Sequence, residues 1–134
     1  MAYIIADNII SPLGETSEEN YLSVKAGRSG IRAYEPGTCN IPEGFYASLL
    51  FEDFETLALK SAQKAIANAR LELKGKRTAF ILSSTKGNIE ENISLADSAQ
   101  RIASQLGIDS KPIVVCNACI SGLSALILGN RLID

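Results

Sequence analysis

With 134 residues, 46% of them apolar, and a formal net charge of −2, the chain has the size of one ordinary domain and enough hydrophobic material for a core. Its scattered charges form no basic stripe, which argues against a nucleic-acid partner. No apolar run approaches the roughly 20 residues of a membrane helix, the N-terminus lacks the basic stretch of a secretory leader, and three cysteines that cannot all pair fit a reducing cytoplasm.

Tyr3 to Ile10 is apolar nearly throughout, the pattern of a strand covered on both faces. Ser11-Pro12-Leu13-Gly14 breaks it. Thr16 precedes Glu19 by the three residues of a capping box, Tyr21, Leu22 and Val24 give the following short helix an apolar side, and Gly27 is placed to end it. Residues 32–50, with Pro36, Gly37, Pro42 and Gly44, form a loop that ends in a short strand from Phe45 to Leu49. Cys39 lies in that loop without a neighbouring cation or helix start, and is an incidental thiol.

Asp53 is a suitable N-cap for a long helix from Phe54 to about Leu73, whose Phe54, Leu57, Ala58, Ala62, Ala65, Ile66 and Ala69 recur at helical spacing. Thr78 to Ser84 is a second buried strand, left through the turn Thr85-Lys86-Gly87-Asn88, which lacks the spacing of a phosphate-binding loop. Ile89, Ile93, Ala96, Ala99, Ile102, Ala103 and Leu106 mark a third helix, stopped by Gly107. A β-branched strand, Ile113 to Cys116, then leads to a last helix, apolar on almost all sides and so expected between layers. Strands alternating with helices predict a mainly parallel α/β sheet.

Cys119 falls at the turn between this last strand and helix. Unpaired N–H groups and the helix macrodipole converge at such a place, and a cysteine there can act as a nucleophile. Two other readings fit the same residues: a small buried hydrophobe, or one half of a C-x-x-C pair with Cys116. Zinc would need two further ligands, and the chain has only Cys39 and no histidine. A redox dithiol would put its first cysteine at the helix start, whereas Cys116 ends the strand.

Asn117-Ala118-Cys119-Ile120-Ser121-Gly122, entered from a short apolar strand, resembles the nucleophile motif of the β-ketoacyl synthases, the thiolase-like condensing enzymes of fatty-acid and polyketide assembly. Ser11-Pro12-Leu13-Gly14 and Ala26-Gly27-Arg28-Ser29-Gly30-Ile31 are similar to the S-P-x-G turn and A-G-x-S-G-I segment near the start of that family. The helix from Phe54 looks like the family's second helix, and Thr85 to Asn88 stands where the family carries a G-T-x-x-G-like loop. The excursion between the second strand and the nucleophile is shorter than in the family, which leaves acyl-chain length and the interface open.

The resemblance implies a thiolase-like α/β fold, with residues 1–134 as the N-terminal portion of one half of a five-layer αβαβα sandwich, truncated before the last strands of that half. It implies Cys119 as nucleophile and oxyanion donor, an acyl carrier protein or acyl-CoA as partner, no cofactor and no metal, and a homodimer through the strand Ile113 to Cys116. With no histidine in the chain, the acid-base partners are expected outside it and the isolated chain is expected to be inactive. Rival readings are a thiolase or chalcone-synthase-like condenser, a silent partner subunit of a ketosynthase, and an α/β domain without chemistry.

Overall fold

In the computed structural model, which describes residues 2–89 and 91–133, the chain divides into two units, Asp7–Glu52 and Met1–Ala6 with Asp53–Asp134.

In Asp7–Glu52, Ser11-Pro12-Leu13-Gly14 closes on itself, Ser11 N–H to the Gly14 carbonyl at 2.9 Å and Gly14 N–H to the Ser11 carbonyl at 3.1 Å. The capping box forms as the sequence predicts: Glu19 N–H donates to Thr16 Oγ1 at 3.2 Å, and Thr16 N–H donates to Glu19 Oε2 at 3.1 Å. It opens helix α1, Ser17–Lys25. Gly27 at φ 71 closes the helix, with Gly27 N–H bonded to the Val24 carbonyl and Arg28 N–H reaching back to the Ser23 carbonyl.

The face that α1 buries differs from the expected one. Tyr21, Leu22 and Val24 are exposed, and the buried residues are Asn20 and Ser23. Asn20 Nδ2 lies within 3.0 Å of the carbonyls of Ile9, Gly14 and Thr16, its Oδ1 accepts from Ser11 Oγ, and Ser23 Oγ donates to the Leu13 carbonyl at 3.0 Å. The irregular segment before the helix turns its carbonyls inward, and satisfying them outranks burying leucine.

A hairpin completes this unit. Strand β1, Arg32–Tyr34, pairs antiparallel with β2, Phe45–Ala47, and the Tyr34 ring stacks on Phe45 at 5.4 Å. β1 falls within what the sequence presents as loop. Cys39 is exposed, in a 3-10 turn at Thr38–Asn40, with φ 52.

The first expected strand does not form. Residues 3–10 belong to no sheet, and Tyr3, Ile4, Ile5 and Ile9 are exposed. An apolar run becomes a strand only where a neighbour takes its backbone N–H and C=O groups, and here the Ile9 carbonyl is instead held by the Asn20 side chain.

In the second unit, Asp53 caps α2, Phe54–Ala67, accepting Thr56 N–H at 3.0 Å. The hydrogen bond from the Thr56 side chain, followed by that from its backbone, holds the Asp53 carboxyl below its ordinary 3.8. A depressed carboxyl stabilises the fold fully above its unfolded value and loses that contribution as pH falls through the lower folded value. Asp53→Ala is therefore expected to cost about 0.5–1 kcal/mol at pH 7, at the low end for a cap because the site is exposed. Urea titrations at descending pH should show this cost shrink below the unfolded carboxylate value and vanish once pH has passed the lower folded one.

α2 ends short of Leu73 because Asn68 tightens the last turn, its N–H bonding the Ala65 carbonyl. Strand β3, Ile81–Ser83, pairs parallel with β4, Ile113–Val115, through Ile81 with Ile113 and Ser83 with Val115. Between them runs α3, Leu95–Leu106, six residues shorter at its start than the apolar spacing predicts. Asn92 at φ 52 interrupts the pattern, and Ser94 takes the cap by accepting Asp97 N–H at 3.1 Å. Gly107 stops α3 at φ 74.

α3 packs on α2 and on β4, and helix α4, Ser121–Ile133, packs on both strands. The core is Leu82, Ala99 and Ile102, surrounded by Phe54, Leu59, Phe80, Leu106 and Val114. The chain is α/β, but among the described residues its strands form one parallel and one antiparallel pair instead of a mainly parallel sheet. Nor is α4 enclosed: Leu123, Leu126 and Ile127 are exposed.

Candidate functional site

β4 ends at Val115, and its neighbour β3 ends beside it, Ser84 N–H donating to the Val115 carbonyl at 3.3 Å. The two chain segments leaving this sheet end stay close: Cys116 Sγ lies 3.8 Å from the Thr85 carbonyl. The Thr85 to Asn88 loop expected near the site therefore does accompany the strand that leads to Cys119. Gly87 in that loop has φ 66, and a β-carbon there would come within 2.6 Å of Leu95 Cδ2, so the turn requires glycine.

From Cys116 the chain passes through Asn117 and a 3-10 turn, Ala118–Ile120, before α4 begins. Cys119 thus sits in the middle of this turn, two residues ahead of the first residue of α4. Ala118, just before it, has φ 45, a left-handed conformation that costs a β-carbon-bearing residue about 1–2 kcal/mol. The turn is held by Ile120 N–H on the Asn117 carbonyl at 3.1 Å and by the buried Ser121. Ser121 Oγ accepts Asn117 N–H at 2.8 Å and donates to the Ala118 carbonyl at 2.7 Å. Asn117 Nδ2 adds a longer contact to Ser124 Oγ at 3.3 Å.

Cys119 is exposed, which removes the reading of it as a packed hydrophobe, and its N–H lies in the first residues of the turn, ahead of every carbonyl of the turn and helix that could take it. A thiol and an N–H on one residue are the two groups that acyl transfer to a cysteine uses, one to attack a carbonyl carbon and the other to receive the oxygen. All three cysteines are free and exposed. Among the described residues no three His, Cys, Asp or Glu side chains converge as metal ligands.

Beside this turn, an open groove of about 520 Å³ runs between α4 and β3, lined by Ile4, Ile81, Gly122, Leu126, Gly129 and Ile133 among others. Gly129 lies against Ile81 there, and a β-carbon on it would meet Ile81 Cδ1 at an ordinary contact distance of 3.6 Å.

Cys119 stands out in the sequence and Ser121 does not, although a hydroxyl two residues past a cysteine at a helix start signals side-chain-to-backbone bonding. Compared with known proteins, the chain matches no family model, no curated protein and no solved structure. No helix among the described residues is long and apolar enough to cross a membrane.

Proposed function

We propose that the chain carries the acyl-accepting cysteine of a β-ketoacyl synthase, with Cys119 as the nucleophile. The observation that carries this reading is an exposed Cys119 on a tight strand-to-helix turn, its own N–H in the first residues of that turn. The nucleophile motif around it, and the Ser11 to Gly14 and Ala26 to Ile31 segments that resemble the same family, add to it.

In the proposed reaction the Cys119 thiolate attacks the carbonyl carbon of an acyl thioester presented on the phosphopantetheine of an acyl carrier protein, or on coenzyme A. The Cys119 N–H receives the developing oxyanion; the carrier's C–S bond then breaks, and the carrier thiolate leaves and takes up a proton. A malonyl thioester next loses carbon dioxide, and its carbanion attacks the acyl-cysteine and expels the Cys119 thiolate. That second step needs acid-base groups, and with no histidine among the 134 residues they belong to chain outside them.

A thiolase-like fold and a cytoplasmic setting belong to the same proposal, as does a homodimer through β4. β4 pairs with β3 on one side only among the described residues, and an unpaired strand edge invites a second copy. The test is acylation itself. Incubated with a medium-chain acyl-CoA, the protein should gain one acyl mass, mapped to Cys119 by peptide mass spectrometry. An unmodified chain, or acyl groups spread evenly over Cys39, Cys116 and Cys119, rejects the proposal.

A further inference from the structure

Resting on Cys119 as the reacting group, we infer that Ser121 is a positioning residue that sets the turn in which Cys119 is presented. Three observations carry this. Ser121 is buried although its neighbours Ile120 and Leu123 are exposed. Its one hydroxyl spans the turn, accepting from Asn117 N–H on the strand side and donating to the carbonyl of Ala118. Ala118 occupies φ 45, a conformation that an alanine does not hold unaided and that the surroundings must impose.

The hydroxyl bond to the Ala118 carbonyl joins the one that Ser121 N–H makes to the same oxygen, and together they fix the peptide plane between Ala118 and Cys119, which contains the Cys119 N–H. Ser121 therefore orients the N–H proposed to receive the acyl oxygen, and it directs Cys119 outward from the same backbone position. Without the hydroxyl, the Ala118 carbonyl keeps the Ser121 N–H but loses its second donor, and Asn117 N–H loses its acceptor, so Ala118 returns more readily to negative φ, turning both groups away. Glycine at 118 would adopt φ 45 without steric cost and so remove the need for the hydroxyl.

The test is alkylation of Cys119 by iodoacetamide, read peptide by peptide with Cys39 as an internal reference. The reaction displaces iodide and needs no acyl chemistry. Loss of both bonds in Ser121→Ala should slow Cys119 labelling about tenfold, the factor expected when bonds of this strength are lost, with Cys39 unchanged. Ser121→Thr keeps the hydroxyl and should restore the native rate. The double variant Ala118→Gly with Ser121→Ala should also return to the native rate, and it carries the test if Ser121→Ala alone does not fold.

A Cys119 rate in Ser121→Ala equal to the native one overturns the inference. So does a double variant that labels slowly or does not fold. Failure of this inference is distinguishable from failure of the acyl reading: a native chain that acyl-CoA does not acylate, but whose variants follow the alkylation pattern, loses the condensing function and keeps Ser121 as the residue that presents the thiol.

Discussion

Cys119→Ala is expected to abolish acylation by acyl-CoA completely, while Cys116→Ala and Cys39→Ala retain it. The three thiols are all free and exposed, so accessibility does not separate them. Backbone surroundings do. Cys116 continues from β4 with its Sγ against the Thr85 carbonyl, and Cys39 sits in a 3-10 turn between β1 and β2. Only Cys119 stands at the head of a thirteen-residue helix, where helix N–H groups lack a carbonyl of the preceding turn. Replacing an exposed thiol away from the reacting atom should shift stability by under about 0.5 kcal/mol, so Cys116→Ala and Cys39→Ala should acylate at close to the native rate. Intact-mass measurement after a fixed exposure checks all three variants. An acyl adduct that persists in Cys119→Ala, or disappears in Cys116→Ala, would move the nucleophile elsewhere.

Ile102→Ala should give the largest loss of stability, about 3 kcal/mol within the range of 2–5 for such truncations. Ile102 is fully buried on α3 and joins Leu82 of β3 to Ala99, with Phe54, Leu59 and Val114 packed around them. Few side chains here reach full burial, so little else in the core can close over the missing atoms, and the cavity remains. Against the 5–15 kcal/mol that holds ordinary domains folded, such a loss is large. The chain has no tryptophan, so far-UV circular dichroism during urea titration is the suitable readout, and the midpoint should fall without a change in slope. Leu126→Ala removes the same kind of side chain from an exposed position on α4 and should shift the midpoint little. Equal effects from the two substitutions would contradict this placement of the core.

Where local chemistry decides, the sequence was legible. The Thr16 and Glu19 capping box, the Asp53 cap and the glycine stops at Gly27 and Gly107 each involve groups only a few residues apart, and each forms. β4 and the turn carrying Cys119 also stand close to where a β-branched run meets small residues. Non-local choices were not legible. Tyr3 to Ile10 has the composition of a strand, yet whether a strand forms depends on a partner elsewhere in the chain. α3 starts late because a left-handed Asn92 and a Ser94 cap override an apolar period that runs through both. Ser121 is illegible for a related reason: a helix-start serine signals side-chain-to-backbone bonding, but nothing in the sequence marks Ala118 for positive φ.

α1 is seated by amide and hydroxyl groups, with Asn20 and Ser23 inward and its leucine, valine and tyrosine outward. Docking of this kind draws little on the release of water from apolar surface, whose signature is a large heat-capacity change. Exposing polar groups changes the heat capacity in the opposite sense to exposing apolar ones. The grip of the Ser11 to Gly14 turn on α1 is therefore expected to rest more on enthalpy than an oily contact of the same size, and to loosen on warming without that contact's low-temperature weakening.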